Sequence, residues 1–178
     1  DRGGGRPPRH RARLAARILG GGDAILEMSS RSIRIECGQW VLTSPTIEGR
    51  FPDIDGKIKS LEKADKTLNL DAAALVSLCR QASICTTPDS RGVDFVWGHD
   101  EIVARSIAPE IGQSEITLPC DARGPVINQT FDPAFISEWA KTIPPGSLIE
   151  MRIHGGEEAL VLRAADAVCV IMPMSRDR

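Results

Sequence analysis

The chain has 178 residues, room for one full domain and part of another. An apolar share of 42% with 26% charged residues is that of an ordinary globular protein, and a formal charge of −2 gives no bulk attraction to nucleic acid. No run approaches the ~20 apolar residues that span a membrane, and the first residues lack the apolar region of an export signal, so a cytoplasmic protein is expected.

Asp1 to His10 is rich in Gly, Pro and Arg without periodicity, which predicts a disordered basic leader. From Arg11 to Leu19 the pattern turns helical. Leu14, Ile18 and Leu19 share one side, while Arg11, Arg13 and Arg17 lie largely elsewhere. Gly20-Gly21-Gly22 ends this helix, because glycine tolerates the left-handed backbone past a C-cap. Three strands follow: Ala24–Met28, Ser32–Cys37 with Ile33, Ile35 and Cys37 on one face, and Trp40–Ser44 after a turn at Gly38. Pro45 to Leu61 reads as a connection, with Pro45, Gly49, Pro52 and Gly56, and it runs into the Lys-rich stretch Lys57 to Lys66. A domain boundary is expected near Ser60.

The second domain opens with a short strand, Thr67–Leu70. Asp71 then caps a helix from Ala72 to about Ser83. Leu75, Leu78, Cys79 and Ala82 form its apolar stripe, and Arg80 falls off that stripe. Gly92–Trp97, Glu101–Ile107 and Ser114–Cys120 are strands, the first two joined by a turn at His99-Asp100. After a strand at Val126–Gln129, Asp132 and Pro133 are the N-cap and first position of another helix. Phe131 is placed to pack on Ile136 across that helix start. The helix is expected to run to about Thr142 and to stop before Pro144-Pro145-Gly146. Leu148–Ile153, Ala159–Arg163 and Ala167–Met172 complete the strands. The last closes on Met172-Pro173-Met174, where proline ends ladder pairing and two flexible thioethers are left at a sheet rim.

A helix followed by three strands therefore occurs three times, from near Arg11, Ala72 and Pro133. Such repetition implies units packed side by side on a shared core.

Catalytic or metal chemistry finds no support. His10, His99 and His154 have no metal-spaced partner, and Cys37, Cys79, Cys85, Cys120 and Cys169 show no zinc spacing. Reduced, mostly buried thiols are expected. Gly3-Gly4-Gly5 lies in the leader and Gly20-Gly21-Gly22 follows a helix, so neither forms a phosphate-binding helix start. A non-enzymatic protein without cofactor is the expectation.

The final strand with its Met172-Pro173-Met174 end, together with Glu48-Gly49-Arg50-Phe51-Pro52-Asp53, resembles the bacterial sliding clamp family, the beta subunit of DNA polymerase III. The resemblance runs from about Leu14 to Met174 and covers the C-terminal half of a full clamp. It implies an α+β DNA-clamp fold of repeated helix-plus-three-strand units, with antiparallel sheets outside and helices on the inner face. On that basis 11–59 would be the second half of clamp domain II and 60–178 clamp domain III. The implied function is a processivity factor that tethers DNA polymerase III subunits to duplex DNA without sequence specificity. It would also bind other proteins that carry a clamp-binding motif, and another clamp chain would close the ring as in a homodimer. The implied peptide groove comprises Pro52, Asp132, Phe135, Val170, Ile171, Met172, Pro173 and Met174, with Phe135 where the family often has tyrosine. The implied DNA-facing residues are Arg11, Arg13, Arg17, Arg80 and Lys141. Nothing in the chain matches the Thr-Asp-Gly-His-Arg-Leu-like segment that forms part of the family's cleft. A retained fold with weakened peptide binding is therefore expected, and a stand-alone peptide-binding adaptor or decoy that never encircles DNA is the alternative.

Overall fold

The computed structural model describes residues 14–15, 19, 23–46, 54–60, 62–88 and 90–175. The chain divides into two compact units, Asp1–Asp53 and Ile54–Arg178. The expected leader, most of the expected helix over Arg11 to Leu19, and the Glu48 to Asp53 motif lie outside the described residues. So do Arg11, Arg13, Arg17 and Pro52. Within that helix, Leu14 and Ala15 are helical, and the Leu19 amide donates to the Ala15 carbonyl at 3.0 Å.

The first unit contains an antiparallel sheet of β1 (Ala24–Met28), β2 (Ser32–Cys37) and β3 (Trp40–Pro45), in that order. Its register pairs Leu26 with Ile35 and Ile35 with Leu42. Alternation then gathers Leu26, Met28, Ile33, Ile35, Cys37, Trp40 and Leu42 on one face. The other face is mixed, with Arg34 between Glu27 and Glu36 and with exposed Ile25 and Val41. Ile33 and Cys37 are buried, whereas Leu26, Met28 and Trp40 are each more than half exposed. Among the described residues, β1 pairs with β2 alone.

The second unit begins with α1 (Ile54–Ser60), which falls in the stretch read from sequence as a connection. Pro52 and Gly56 were the breaking signals there. Pro52 precedes the helix and so does not interrupt it, and a single glycine costs only about 1 kcal/mol in a helix interior.

The chain continues through β4 (Lys66–Asp71), α2 (Ala72–Ala82), a 3-10 turn at Ser83–Cys85, β5 (Val93–Trp97), β6 (Glu101–Ala108) and β7 (Gly112–Pro119). β8 (Ala122–Arg123), β9 (Ile127–Phe131), α3 (Pro133–Ala140), β10 (Leu148–Ile153), β11 (Leu160–Ala164) and β12 (Ala167–Ile171) follow. β8 was not expected, because two residues carry no readable alternation.

All pairings in the two sheets are antiparallel. One has the order β12-β11-β10-β4-β8 and the other β7-β6-β5-β9. The repeat is thus larger than a helix and three strands. β4 precedes α2 yet joins β10, which follows α3. β9 precedes α3 yet joins β5 in the other sheet. Two strand–helix–three-strand units exchange their leading strands, which locks them into one body.

Both helix starts are capped as the sequence indicates. Asp71 Oδ1 accepts from the amides of Ala73 at 2.9 Å and Ala74 at 3.1 Å, and Asp132 Oδ1 accepts from Ala134 at 2.8 Å. Each cap contributes about 1 kcal/mol. The α2 stripe of Leu75, Leu78, Cys79 and Ala82 is fully buried, and α2 packs on α3. Phe131 and Ile136 are both buried in this core, as expected of residues bracketing a helix start. Phe95 stacks on Trp97 with ring centroids 5.2 Å apart. α3 ends at Ala140, two residues before the expected stop, where the Thr142 hydroxyl and amide both donate to the Trp139 carbonyl.

Candidate functional site

The last strand sets the geometry. Ile171 lies opposite Leu160 on β11 and is buried in the main core. Val170 points to the other side of the sheet, where it packs on Ala159 and Val161. The strand's two faces therefore separate residues that were grouped in one groove. Ile171 serves the core, and Val170 lines the opposite face.

Beyond Ile171 the ladder ends, as Pro173 requires. The chain nevertheless stays held: the Met174 amide donates to the Thr130 carbonyl at 2.7 Å. Thr130 is in β9 and is followed by Phe131 and Asp132, the N-cap of α3. This one hydrogen bond brings the Met172-Pro173-Met174 tail to the start of α3, and α3 itself packs on β12.

Phe135 sits in the first turn of α3 with 47% of its surface exposed, and Met172 and Met174 in the tail are 56% and 42% exposed. A rigid aromatic ring and two adaptable thioethers suit the docking of an apolar side chain. Asp132 has a different task. Its carboxylate is buried and engaged with the Ala134 amide, so it orients the helix that carries Phe135. The Met172-Pro173-Met174 tail is thus tied to the strand that leads into Asp132, Phe135 lies in the first turn of the helix that Asp132 caps, and Val170 and Ile171 stand in the strand that leads to the tail.

Two of the basic residues are described. Arg80 is exposed in the last turn of α2, and Lys141 is the exposed C-cap of α3. Burial pushes the Cys79 thiol up to about 12, and the positive charge of Lys141 partly opposes that shift. Lys141 therefore lies near the residue that precedes Arg80, and the two cations belong to neighbouring helix ends. Burial also raises the Cys120 and Cys169 thiols.

Sequence reasoning missed two buried polar anchors. Lys66 was counted in a Lys-rich stretch, but it is buried, and its ammonium donates to the carbonyls of Gly98 at 2.9 Å and Gly124 at 3.3 Å. The signal was its alternation with Leu68 and Leu70, which puts all three on one face of β4. Gln129 is also buried, and its amide donates to Glu158 at 2.8 Å and Gly156 at 3.3 Å, tying β9 to the loop between β10 and β11. Among the described residues no cluster of His, Cys, Asp and Glu is arranged to hold a metal ion. No described helix is long and apolar enough to cross a membrane.

No protein-family model matches the chain. Curated relatives do. The beta sliding clamp of Chlamydia muridarum is 24% identical over 148 residues, covering 83% of this chain and 40% of the relative. The beta sliding clamp of Escherichia coli K12 is 25% identical over 162 residues, covering 89% of this chain and 44% of the relative. Among solved structures, a DNA polymerase sliding clamp from Pseudomonas aeruginosa superposes with a TM-score of 0.76 at 20% identity, over 96% of this chain and 47% of that one. The chain spans less than half the length of the clamps it matches. Over that length it has the α+β fold of the beta sliding clamps and is similar to them in sequence.

Proposed function

We propose that this chain is the C-terminal half of a sliding clamp, a non-enzymatic processivity element that docks short peptides from replication proteins at the corner formed by Phe135 and the Met172–Met174 tail. The observation that carries this reading is the Met174–Thr130 hydrogen bond, which holds exposed methionines beside the helix that presents Phe135. Burying each apolar anchor of a peptide there would contribute about 1.5–3 kcal/mol. After ordering costs, binding in the micromolar range or weaker is expected. DNA polymerase III subunits and other proteins with a clamp-binding motif are the proposed partners.

Residues 11–59 would then be half of clamp domain II and 60–178 domain III. Among the described residues β1 pairs with β2 alone, which leaves an edge that another strand could join. In the second unit, β5 and β10 also directly follow a helix, and each takes a strand from the neighbouring unit. Another clamp segment would supply that strand and close a ring around duplex DNA. Arg80 and Lys141 would meet the phosphates without reading sequence.

The test is fluorescence anisotropy of a labelled peptide carrying a glutamine and two bulky apolar residues. Saturable binding that is at least tenfold weaker in a Phe135→Ala, Met174→Ala double variant supports the reading. No binding by the wild type overturns it. A second reading is a peptide-binding adaptor or decoy that acts outside any ring. Gel filtration with a full-length clamp separates the two, since ring assembly requires a mixed oligomer.

A further inference from the structure

The tail that carries Met172 and Met174 has no ladder partner beyond Ile171 in β12, and what fixes it is Thr130. Three parts of this residue are engaged. Its carbonyl accepts the Met174 amide at 2.7 Å. Its hydroxyl donates to Asp94 Oδ1 at 2.6 Å, directly across the β5–β9 ladder. Its methyl faces Gly92, where a β-carbon would come within 2.9 Å of Thr130 Cγ2 and 3.7 Å of the Met174 sulfur. Gly92 is thus the gap into which the Thr130 methyl and the Met174 thioether fit together. A hydroxyl bound to a carboxylate is among the stronger hydrogen bonds and fixes its residue firmly. The Thr130 carbonyl is therefore a fixed point, and the tail hangs from it.

We infer that Thr130, fixed by Asp94, is a positioning residue for ligand docking, acting through the backbone of Met174 and touching no ligand itself. This rests on the docking reading above. Thr130 sets where the two thioethers lie relative to α3. Loss of the Thr130–Asp94 bond lets the tail wander and reduces affinity without removing any apolar surface from the corner.

Three variants of the full chain test this: Thr130→Val, which keeps the shape and loses the hydroxyl, Thr130→Ser, which keeps the hydroxyl, and Asp94→Ala, which breaks the same bond from the other strand. Two quantities are read in each, peptide affinity by anisotropy and hydrogen exchange of the Met174 amide. The expected result for Thr130→Val and Asp94→Ala is several-fold weaker binding with at least tenfold faster Met174 exchange, and for Thr130→Ser values near wild type. Faster exchange is the readout that general destabilisation would not confine to Met174, since amides in β5 and β9 serve as internal references. Wild-type binding in Thr130→Val, or weaker binding with unchanged Met174 exchange, overturns the positioning role. A wild-type chain that binds no peptide overturns the docking reading itself, and the positioning role with it.

Discussion

Lys66 is 1% exposed, and its ammonium reaches the Gly98 carbonyl at 2.9 Å. Its second acceptor is the Gly124 carbonyl, on a residue with φ of 110° whose β-carbon, if present, would lie 2.2 Å from the Asp65 carbonyl oxygen. One lysine thus fastens β4 to the β5–β6 turn and to the segment after β8, where only glycine fits. A buried ammonium is tolerated because it is paired, and the carbonyls it serves are costly to leave alone. Lys66→Met keeps the aliphatic stem and removes the donor. It is expected to lower unfolding stability by about 1–3 kcal/mol, read as a lower urea midpoint, and a midpoint equal to that of the wild type would refute this role.

Cys79 provides a pH test of the core. Burial raises its thiol from 9.0 to about 12. A group whose folded value is raised contributes stability that is fully present below the unfolded value and lost as pH rises through the folded one. No change from this thiol is expected below pH 9. Between pH 9 and 12 the unfolded chain releases the proton first, and stability falls by up to about 1.4 kcal/mol per pH unit. Urea unfolding at pH 8 and pH 10 should show a larger drop for wild type than for Cys79→Ala. Equal drops would mean that the thiol is not shielded.

Arg80 and Lys141 address the proposed DNA contact. Each phosphate neutralised contributes about −0.9 to the slope of log affinity against log salt on duplex DNA. Arg80→Gln and Lys141→Gln should each reduce that slope by roughly one, uniformly across sequences. Titrations at several salt concentrations measure it. A slope unchanged by both substitutions would leave these side chains as solvated surface.

Much of the fold is legible in the sequence because local rules agree with one another. Asp71 and Asp132 cap helices where they stand before apolar stripes, and strands β1, β2 and β10 occupy the expected residues. What the sequence hides is non-local. That β4 joins β10 and β9 joins β5 cannot be read from alternation, because both partners simply look like buried strands. The same limit applies at the candidate site. Alternation places Val170 and Ile171 on opposite faces but cannot say which is core, and burial of Ile171 decides it. Thr130 has no local signal. Its role depends on Asp94 and Met174, far apart in sequence, and only the folded chain brings them together.

The docking claim can be read directly at the methionine methyl groups. The chain has four methionines: Met151 fully buried, Met28 exposed on the first unit's sheet, and Met172 and Met174 at the proposed site. Selective methyl labelling gives each its own NMR signal during titration with a clamp-binding peptide. The expected result is saturable movement of the Met172 and Met174 signals, with Met151 and Met28 still. Binding that leaves Met172 and Met174 unmoved, or moves Met28 alone, would place the peptide elsewhere and contradict the assignment of this corner as the docking surface.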